Sequence, residues 1–445
     1  MTVIKKTILL MSTITLAYLV LNALVFLSED SLESFSQKDI DPSMAIHSVK
    51  GTTKETILLT PNLEHAFRST NFISPVVGYG LALRPSRRPQ LIPTGEDTPI
   101  YMDRMGGLYS WFHISKTTGK PSFVFDGKTK TTPEYLDFHD QVIHPDGSFT
   151  FMEYLPDWSN RSIHLVLKRI DAEGLVLWSW NSEKYISKDN YVKYTPPINN
   201  NSEAVTLKVS LQNIREQYSS LILNLVGGDL YESLPKIRLP LYRRSIPIFS
   251  QNAGIIDTIH GNSIQYLDNE SYILVSARHL DTVFIIDVRT GSIVWSLGGP
   301  ASRFTKNRVI GDPRGGFSHQ HTARVYNNRL YIYDNANMHL GAPSRVVVYN
   351  FDMKNPNNCS FIFEYLEPYA KRRLSMGSIQ PLDKDRILVG WGGVQRGPDF
   401  KAPSAAASIV NMKTRQTEWQ LDFKPGWTSY RAVSMAPKVA VKAIR

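Results

Sequence analysis

The sequence predicts an all-β protein, a six-bladed β-propeller preceded by an apolar N-terminal helix. Short stretches rich in Val, Ile, Tyr and Trp alternate apolar and polar residues, as half-buried strands do. A unit of about four such strands recurs and closes with a tryptophan, which is typical of a propeller blade. The chain has 445 residues, 42% of them hydrophobic and 11% aromatic, which is enough for a sizeable core.

Residues 1–28 are predicted to be a signal-anchor helix or a signal peptide. Lys5 and Lys6 precede residues 7–27, an uncharged and largely apolar run that is long enough to cross a bilayer, for which about 20 residues are needed. No small-x-small cleavage site follows, which favours an uncleaved anchor, and the two lysines favour a cytoplasmic N-terminus. We therefore expect a membrane-anchored protein whose bulk is periplasmic, luminal or extracellular.

The rest of the chain divides into a linker, the propeller and a tail. Residues 29–60 are largely polar and are predicted to be a linker, residues 61–433 to be the propeller, and residues 434–445 to be a basic tail. The clearest repeat unit spans residues 266–297, and further units occupy residues 144–180, 324–365 and 379–421. Their T-G and E-G pairs supply the left-handed residue that tight hairpins require.

Composition narrows the choice of partners. The 50 basic and 40 acidic residues give a net charge of +10, which favours anionic partners. The basic residues are scattered rather than arranged in a stripe, so we predict no nucleic-acid partner. Cys359 is the single cysteine, which excludes an intrachain disulfide and a cysteine-ligated zinc cluster.

Histidines recur just where the inner strands of the predicted blades begin. The phrases there are D-F-H-D, I-H-G-N-S, H-Q-H-T-A-R and S-M-G-S, at residues 137–140, 259–263, 319–324 and 375–378. Loops at one end of a propeller gather residues that are distant in sequence. We therefore expect His139, His260 and His321 to be neighbours in space.

Several imidazoles beside a guanidinium suit the transfer of an anionic group. A neutral imidazole can act as a base, a nucleophile or a metal ligand near neutral pH. Arginine keeps its charge and its planar fork matches sulfate, phosphate or carboxylate. One histidine would attack, while the other groups would balance the charge that develops on the oxygens.

Two other interpretations remain open at this point. His319 and His321 lie two residues apart and, with His139 or His260 and Asp140, could bind a first-row metal in a hydrolase. Alternatively, the propeller binds an anionic glycan or partner without catalysis. The sequence contains neither a G-x-x-x-x-G-K-[ST] phosphate loop nor a G-x-S-x-G elbow.

Several phrases, taken together and in order, resemble the arylsulfate sulfotransferase family, which works without 3′-phosphoadenylyl sulfate on a six-bladed propeller. The resemblance runs from about residue 139 to residue 432. It rests on I-H-G-N-S, I-L-V-S-A-R-H, W-S-L-G-G, F-S-H-Q-H-T-A-R, Y-D-N, S-R-V-V-V-Y, G-S-I-Q-P-L and S-Y-R-A, at residues 259–263, 273–279, 295–299, 317–324, 333–335, 344–349, 377–382 and 429–432.

The resemblance implies transfer of a sulfuryl group from an aryl sulfate ester to a phenol through a sulfohistidine, with no cofactor and no metal. It implies His321 as the nucleophile and His139 as the acid or base at the phenolic oxygen. It also implies two further catalytic residues, His260 as a contact to the sulfuryl oxygens and Arg278 as the charge-balancing cation. The residues expected to bind substrate are Asn262, Arg324 and Asn335. Bacterial members carry an N-terminal β-sandwich and a cysteine pair, whereas this chain has little room before the predicted propeller and only Cys359. Its polar insertion at residues 184–201 lies near the expected acceptor pocket.

Overall fold

The computed structural model describes residues 45–63, 136–192, 256–339, 341–393 and 402–435, apart from residues 158, 161, 172 and 173, together with short strands between residues 78 and 131 and between residues 236 and 247. These residues form strands and turns, with helix only as short 3₁₀ turns, which confirms the all-β class. The predicted anchor, residues 1–28, lies outside the described residues, and no helix among those described is long and apolar enough to cross a membrane.

The strands are numbered in chain order. They are β1 (Ile46–Gly51), β2 (Thr56–Leu63), β3 (Gly78–Leu83), β4 (Pro89–Thr94), β5 (Phe112–Ile114), β6 (Pro121–Phe125), β7 (Lys128–Thr131), β8 (Leu136–Ile143), β9 (Phe149–Asp157), β10 (Ser162–Ile170), β11 (Val176–Asn181), β12 (Lys236–Arg238), β13 (Ser245–Pro247), β14 (Ile256–Asp257), β15 (Gly261–Leu267), β16 (Tyr272–Ala277), β17 (Thr282–Asp287), β18 (Ile293–Gly298), β19 (Thr322–Tyr326), β20 (Arg329–Asp334), β21 (Arg345–Asn350), β22 (Phe361–Leu366), β23 (Ser378–Pro381), β24 (Arg386–Gly390), β25 (Ser404–Asn411), β26 (Gln416–Phe423) and β27 (Trp427–Met435). Short 3₁₀ turns lie at Ser182–Lys184, Lys188–Asn190, Arg278–Leu280 and Pro356–Asn358.

The chain forms two compact units. One comprises Met1–Ser36, Pro156–Ile163 and Thr195–Ile256, and its hairpin of β12 and β13 pairs Ile237 with Ile246. The other comprises Gln37–Leu155, His164–Tyr194 and Asp257–Arg445. It contains the larger sheets and all the predicted site residues.

The larger sheets are meanders of antiparallel strands. Strands β8 to β11, β15 to β18 and β19 to β22 each form one sheet in chain order, and β23 to β26 form another. The first strands of successive sheets contact one another in the order β8, β15, β19, β23 and β27. First strands that lie side by side give the second unit a propeller-like arrangement.

Strands from the N-terminal part of this unit pair with strands from its C-terminal part. β27 pairs with β2, which continues to β3 and β4, and β1 pairs with β26. Residues 46–51 and 56–60, predicted to belong to a linker, therefore form strands. Only the first and third residues of β1 are half-buried, and its other residues are exposed. The strand is therefore mostly polar and lacks the apolar pattern that predicts a strand from sequence. Strand β27 likewise runs two residues into the predicted tail.

Apolar side chains fill the space between neighbouring sheets. One cluster combines Leu165 and Leu167 of β10 with Val275 of β16 and Phe284 of β17. The recurring tryptophans also link neighbouring sheets by hydrogen bonds. The indole N–H of Trp180 donates to the Gly291 carbonyl at 2.8 Å. Trp295 makes the equivalent bond to Asp352 at 2.9 Å, which explains the closing tryptophan of the sequence repeat.

A buried carboxylate joins four first strands. Asp140 Oδ2, on β8, accepts hydrogen bonds from the Ile264 N–H of β15 at 3.0 Å and from Arg324 Nη2 of β19 at 2.8 Å. Asp140 Oδ1 lies 3.5 Å from Arg431 Nη1 of β27, and Arg431 Nη2 donates to the Asn262 carbonyl at 2.5 Å. Asp140, Arg324 and Arg431 are each exposed by 2% or less.

Replacing this carboxylate should destabilise the protein strongly. Asp140→Asn keeps the shape of the side chain but removes a negative charge that two buried guanidinium groups share. We expect the free energy of unfolding to fall by about 3–5 kcal/mol, measured by urea denaturation. Asp383→Asn is the matched control, because Asp383 is 45% exposed in its pair with Arg386 and should cost about 0–1 kcal/mol. Equal losses for the two variants would contradict this account.

Candidate active site

The structure brings together the three histidines that the repeat singled out. His139 lies in β8, while His260 and His321 immediately precede β15 and β19. The ring centroid of His139 is 4.8 Å from that of His260 and 5.6 Å from that of His321. The expectation that equivalent positions in the sheets become neighbours is therefore confirmed, whereas the chemical role of each histidine stays a prediction.

Backbone geometry turns His260 toward this cluster. Its φ of 49° is left-handed, a conformation that is uncommon for residues other than glycine. The conformation is supported by two backbone hydrogen bonds, from the Arg278 N–H to the His260 carbonyl at 3.1 Å and from the His279 N–H to the Ile259 carbonyl at 3.0 Å. The left-handed residue thus ends the loop and places the imidazole at the start of β15.

The tautomer of His321 follows from its partner. Nδ1 of His321 lies 2.7 Å from the backbone carbonyl oxygen of Gly377. A carbonyl oxygen can only accept a hydrogen bond, so Nδ1 carries the proton of the neutral ring. The lone pair is consequently on Nε2, and His321 is buried, with 2% exposure.

His139 and His260 are each oriented by a carboxylate. Nδ1 of His139 lies 2.8 Å from Asp137 Oδ1, and Nδ1 of His260 lies 2.5 Å from Asp257 Oδ2. Each backbone N–H of these histidines also donates to the same aspartate, at 2.8 Å and 3.0 Å. Sequence reasoning missed both aspartates, although the spacings D-x-H and D-x-x-H were available as a signal.

Burial keeps two of the imidazoles neutral. Burial, followed by the nearby charge of Arg431, holds the pKa of His321 well below its ordinary value. Burial, then His139 and Arg278, lowers the pKa of His260 in the same way. Both rings therefore offer a lone pair at neutral pH, which suits nucleophilic attack and hydrogen bonding more than ion pairing.

Arg278 brings a positive charge to the cluster. It follows β16 in a 3₁₀ turn, and its Nη2 donates to the backbone carbonyl of Leu374 at 3.0 Å. Burial lowers the pKa of this guanidinium from its ordinary value, but arginine still keeps its proton in proteins. Because its charge also acts on His260, Arg278 is placed to attract an anion to the histidines.

One backbone segment, residues 371–377, supplies the partners of both His321 and Arg278. Asn335 Nδ2 donates to the Arg373 and Met376 carbonyls at 2.7 Å and 3.1 Å. Gly377, at the end of the segment, has a left-handed φ of 99°, and a Cβ there would lie 2.2 Å from the Tyr333 ring. The described contacts of Asn335 hold this segment, and its predicted contact with substrate stays a prediction.

Asn262 and Arg324 are also turned toward protein groups. Asn262 Nδ2 donates to the Gln320 carbonyl at 2.7 Å, directly before His321. Arg324 pairs with Asp140 and donates to the Ala323 carbonyl at 3.0 Å. These contacts assign both residues a role in holding the strands that carry the histidines, and their predicted contact with substrate stays a prediction.

Two tyrosines complete the surroundings of the histidines. Tyr430 Oη lies 3.4 Å from His321 Nε2, with the ring centroids 5.2 Å apart. Tyr154 donates its hydroxyl proton to the Gly261 carbonyl at 2.5 Å. Burial raises the pKa of both phenols, so both stay protonated. The S-Y-R-A phrase contained a signal for Tyr430, whereas no motif marked Tyr154.

Two further histidines, His279 and His319, flank the cluster. The ring of His279 stacks on that of His260 at 4.5 Å between centroids. His319 is fully buried, with Nδ1 2.9 Å from Asp281 Oδ1. The set His139, His319 and His321, proposed above for a metal, is not among the groups of described residues whose donor atoms lie close enough to share an ion.

Comparison with known proteins identifies the family. The model of the family described as Arylsulfotransferase (ASST) matches residues 115–431, more than half of the chain and all of the residues just described. The protein therefore belongs to the arylsulfotransferase family, as the resemblance of its phrases indicated. A search of curated proteins gave no match.

Three solved structures with 8–10% identity resemble this chain distantly. A protein of unknown function from Bacteroides caccae has 8% identity and a TM-score of 0.44, over 86% of this chain and 99% of that one. The periplasmic gluconolactonase of Pseudomonas aeruginosa has 8% identity and a TM-score of 0.37, over 87% and 99%. A putative 6-phosphogluconolactonase from Bacteroides fragilis has 10% identity and a TM-score of 0.33, over 86% and 98%.

The tight fit of Gly377 can be tested against a glycine of similar backbone angle. Gly311 has φ +75°, and a Cβ added there would meet open space. Gly311→Ala should therefore lower the free energy of unfolding only by the roughly 1–2 kcal/mol that a left-handed backbone costs an L-residue. Gly377→Ala should lower the free energy of unfolding by roughly 1–3 kcal/mol more than Gly311→Ala does, because its Cβ clashes with Tyr333. Chemical denaturation measures both changes. Similar losses of unfolding free energy in the two variants would show that segment 371–377 can move to accommodate the added Cβ without strain.

Proposed function

We propose that this protein is a sulfotransferase on a six-bladed propeller that moves a sulfuryl group from an aryl sulfate ester to a phenol through a sulfohistidine. Family membership supports the reaction class, and the six antiparallel sheets that the described residues of the second unit form support the blade number. The proposal includes a body outside the cytoplasm, anchored by residues 1–28. That location rests on the sequence of those residues alone.

In the first half-reaction, His321 Nε2 attacks the sulfur of the donor. A nitrogen–sulfur bond forms as the bond between sulfur and the phenolic oxygen breaks. The guanidinium of Arg278 balances the charge on the sulfuryl oxygens, and His260, next to His139, packs against the sulfuryl group. The leaving phenolate takes a proton from His139, whose other nitrogen is held by Asp137.

In the second half-reaction, a phenol takes the place of the first product. His139, now without its extra proton, accepts the proton of the acceptor hydroxyl. The phenolic oxygen attacks sulfur, the nitrogen–sulfur bond breaks and His321 regains its lone pair. Donor and acceptor therefore use one site in turn, which gives ping-pong kinetics.

The pairing of His321 Nδ1 with the Gly377 carbonyl is the observation that carries this proposal. It leaves Nε2 of a buried, neutral imidazole 3.4 Å from the hydroxyl oxygen of Tyr430, in a ring whose centroid lies 5.6 Å from that of His139. The carbonyl fixes the ring without adding negative charge beside an anionic substrate.

Incubation with an aryl sulfate tests the covalent step. The wild-type chain should gain the mass of one sulfuryl group on His321 and lose it when phenol is added. His321→Ala should show neither the adduct nor transfer, whereas His47→Ala, at an exposed position of β1, should retain both. Transfer by His321→Ala at the wild-type rate, or no transfer by the wild type, would refute the proposal.

The role of Asp137 predicts a dependence on the leaving group. Asp137→Asn removes the counter-charge that orients His139, so it should slow donors whose phenol is a poor leaving group by up to roughly 10²-fold, within the range of general acid catalysis. Donors with an electron-poor phenol need little protonation and should be slowed far less. Rates of adduct formation across a donor series provide the measurement, and equal slowing of all donors would exclude this role.

A further inference from the structure

A second arrangement of donor atoms lies beside the catalytic histidines. Asp257 Oδ2 is 2.5 Å from His260 Nδ1 and 3.9 Å from His279 Nδ1. The donor atoms of the three residues all lie within 4.8 Å of one another. We infer that Asp257, His260 and His279 bind a late transition-metal dication such as Zn²⁺, and that the bound ion blocks the transfer reaction.

The cluster is reachable from solvent. The side chains of Asp257, His260 and His279 are 24%, 13% and 17% exposed. Asp257 lies in β14 just before the loop that carries His260, and the edge of Tyr191 contacts His279 at 5.5 Å between centroids. An ion can therefore enter without unfolding of the sheet.

The distances require small side-chain movements. Zinc bonds of about 2.0 Å at tetrahedral angles separate neighbouring ligand atoms by about 3.3 Å. The contact between the Asp257 carboxylate and His260 must therefore open. His279 Nδ1 must exchange its 2.6 Å hydrogen bond to the Asp257 carbonyl for the metal and move closer to the carboxylate. Each ring stays neutral if its proton moves from Nδ1 to Nε2, which frees the Nδ1 lone pair for the metal. Water would supply the fourth ligand.

The ligand types select the ion. One carboxylate and two imidazoles suit Zn²⁺, Ni²⁺ or Cu²⁺, whereas Mg²⁺ and Ca²⁺ prefer oxygen ligands. The neighbouring charge of Arg278 opposes any dication, so only an ion that binds nitrogen strongly gains enough from the site. Magnesium and calcium should therefore neither bind nor compete.

Metal binding and sulfuryl transfer compete for one residue. A metal on His260 Nδ1 removes the hydrogen bond that orients this ring and brings a second cation close to Arg278. This inhibitory consequence rests on the proposed function, but metal binding itself does not. The two parts can therefore fail separately.

Direct measurement of bound zinc tests the site. In titration calorimetry of the full chain, His279→Gln and Asp257→Asn should each bind one equivalent of Zn²⁺ fewer than the wild type. His47→Gln, the control at an exposed histidine, should bind as the wild type does. Circular dichroism of each variant verifies folding. Unchanged stoichiometry in both site variants, or no binding by the wild type, would overturn the inference.

Inhibition provides the second measurement. Zinc should suppress transfer by the wild type, a chelator should restore it, and the fraction suppressed should fall several-fold in His279→Gln. Equal fractional suppression in the wild type and His279→Gln would contradict the blocking role. If the wild type binds zinc in calorimetry but transfers no sulfuryl group, the proposed function fails while the metal site stands.

Discussion

The carboxylate of Asp140 is the interaction on which the site depends. Removing a charge from water costs several kcal/mol unless partners compensate, and here Arg324, Arg431 and the Ile264 N–H provide that compensation. These partners lie on three other first strands. The charge therefore fixes the relative positions of four strands, and its sequence neighbour is His139. Stability and the placement of the histidines follow from one buried network.

Around that network the site combines neutral rings with fixed charge. Burial lowers the pKa of His260 and of His321, while the guanidinium of Arg278 cannot be neutralised. An anionic substrate thus meets a cation without meeting a carboxylate directly, because the Asp137 and Asp257 carboxylates are bound to Nδ1 atoms. This division of roles suits a group that carries negative charge on its oxygens.

The sequence was sufficient to predict features that depend on residue type and spacing. Strand alternation and the closing tryptophans predicted the all-β meanders, and equivalent positions in the repeats predicted that His139, His260 and His321 meet. The sequence was insufficient for features that depend on where a residue lies in the fold rather than on its type. Strand β1 is polar because it lies at the outer edge of its sheet. Asn335 lies in a family phrase, yet its amide contacts a backbone segment that no motif reveals.

The partner of each Nδ1 distinguishes the proposed roles of the histidines. A carboxylate, as beside His139, offers a counter-charge when Nε2 takes a proton, which is what an acid or base needs. A carbonyl, as beside His321, fixes the same tautomer but offers no full charge, so the ring stays neutral and its lone pair stays available. Since Gly377 and Leu374 belong to one segment, the orientation of the proposed nucleophile and the placement of Arg278 depend on the same backbone. In the proposed mechanism, a displacement of that segment would therefore alter attack and charge balance together, whereas the proposed acid on β8 would keep its orientation.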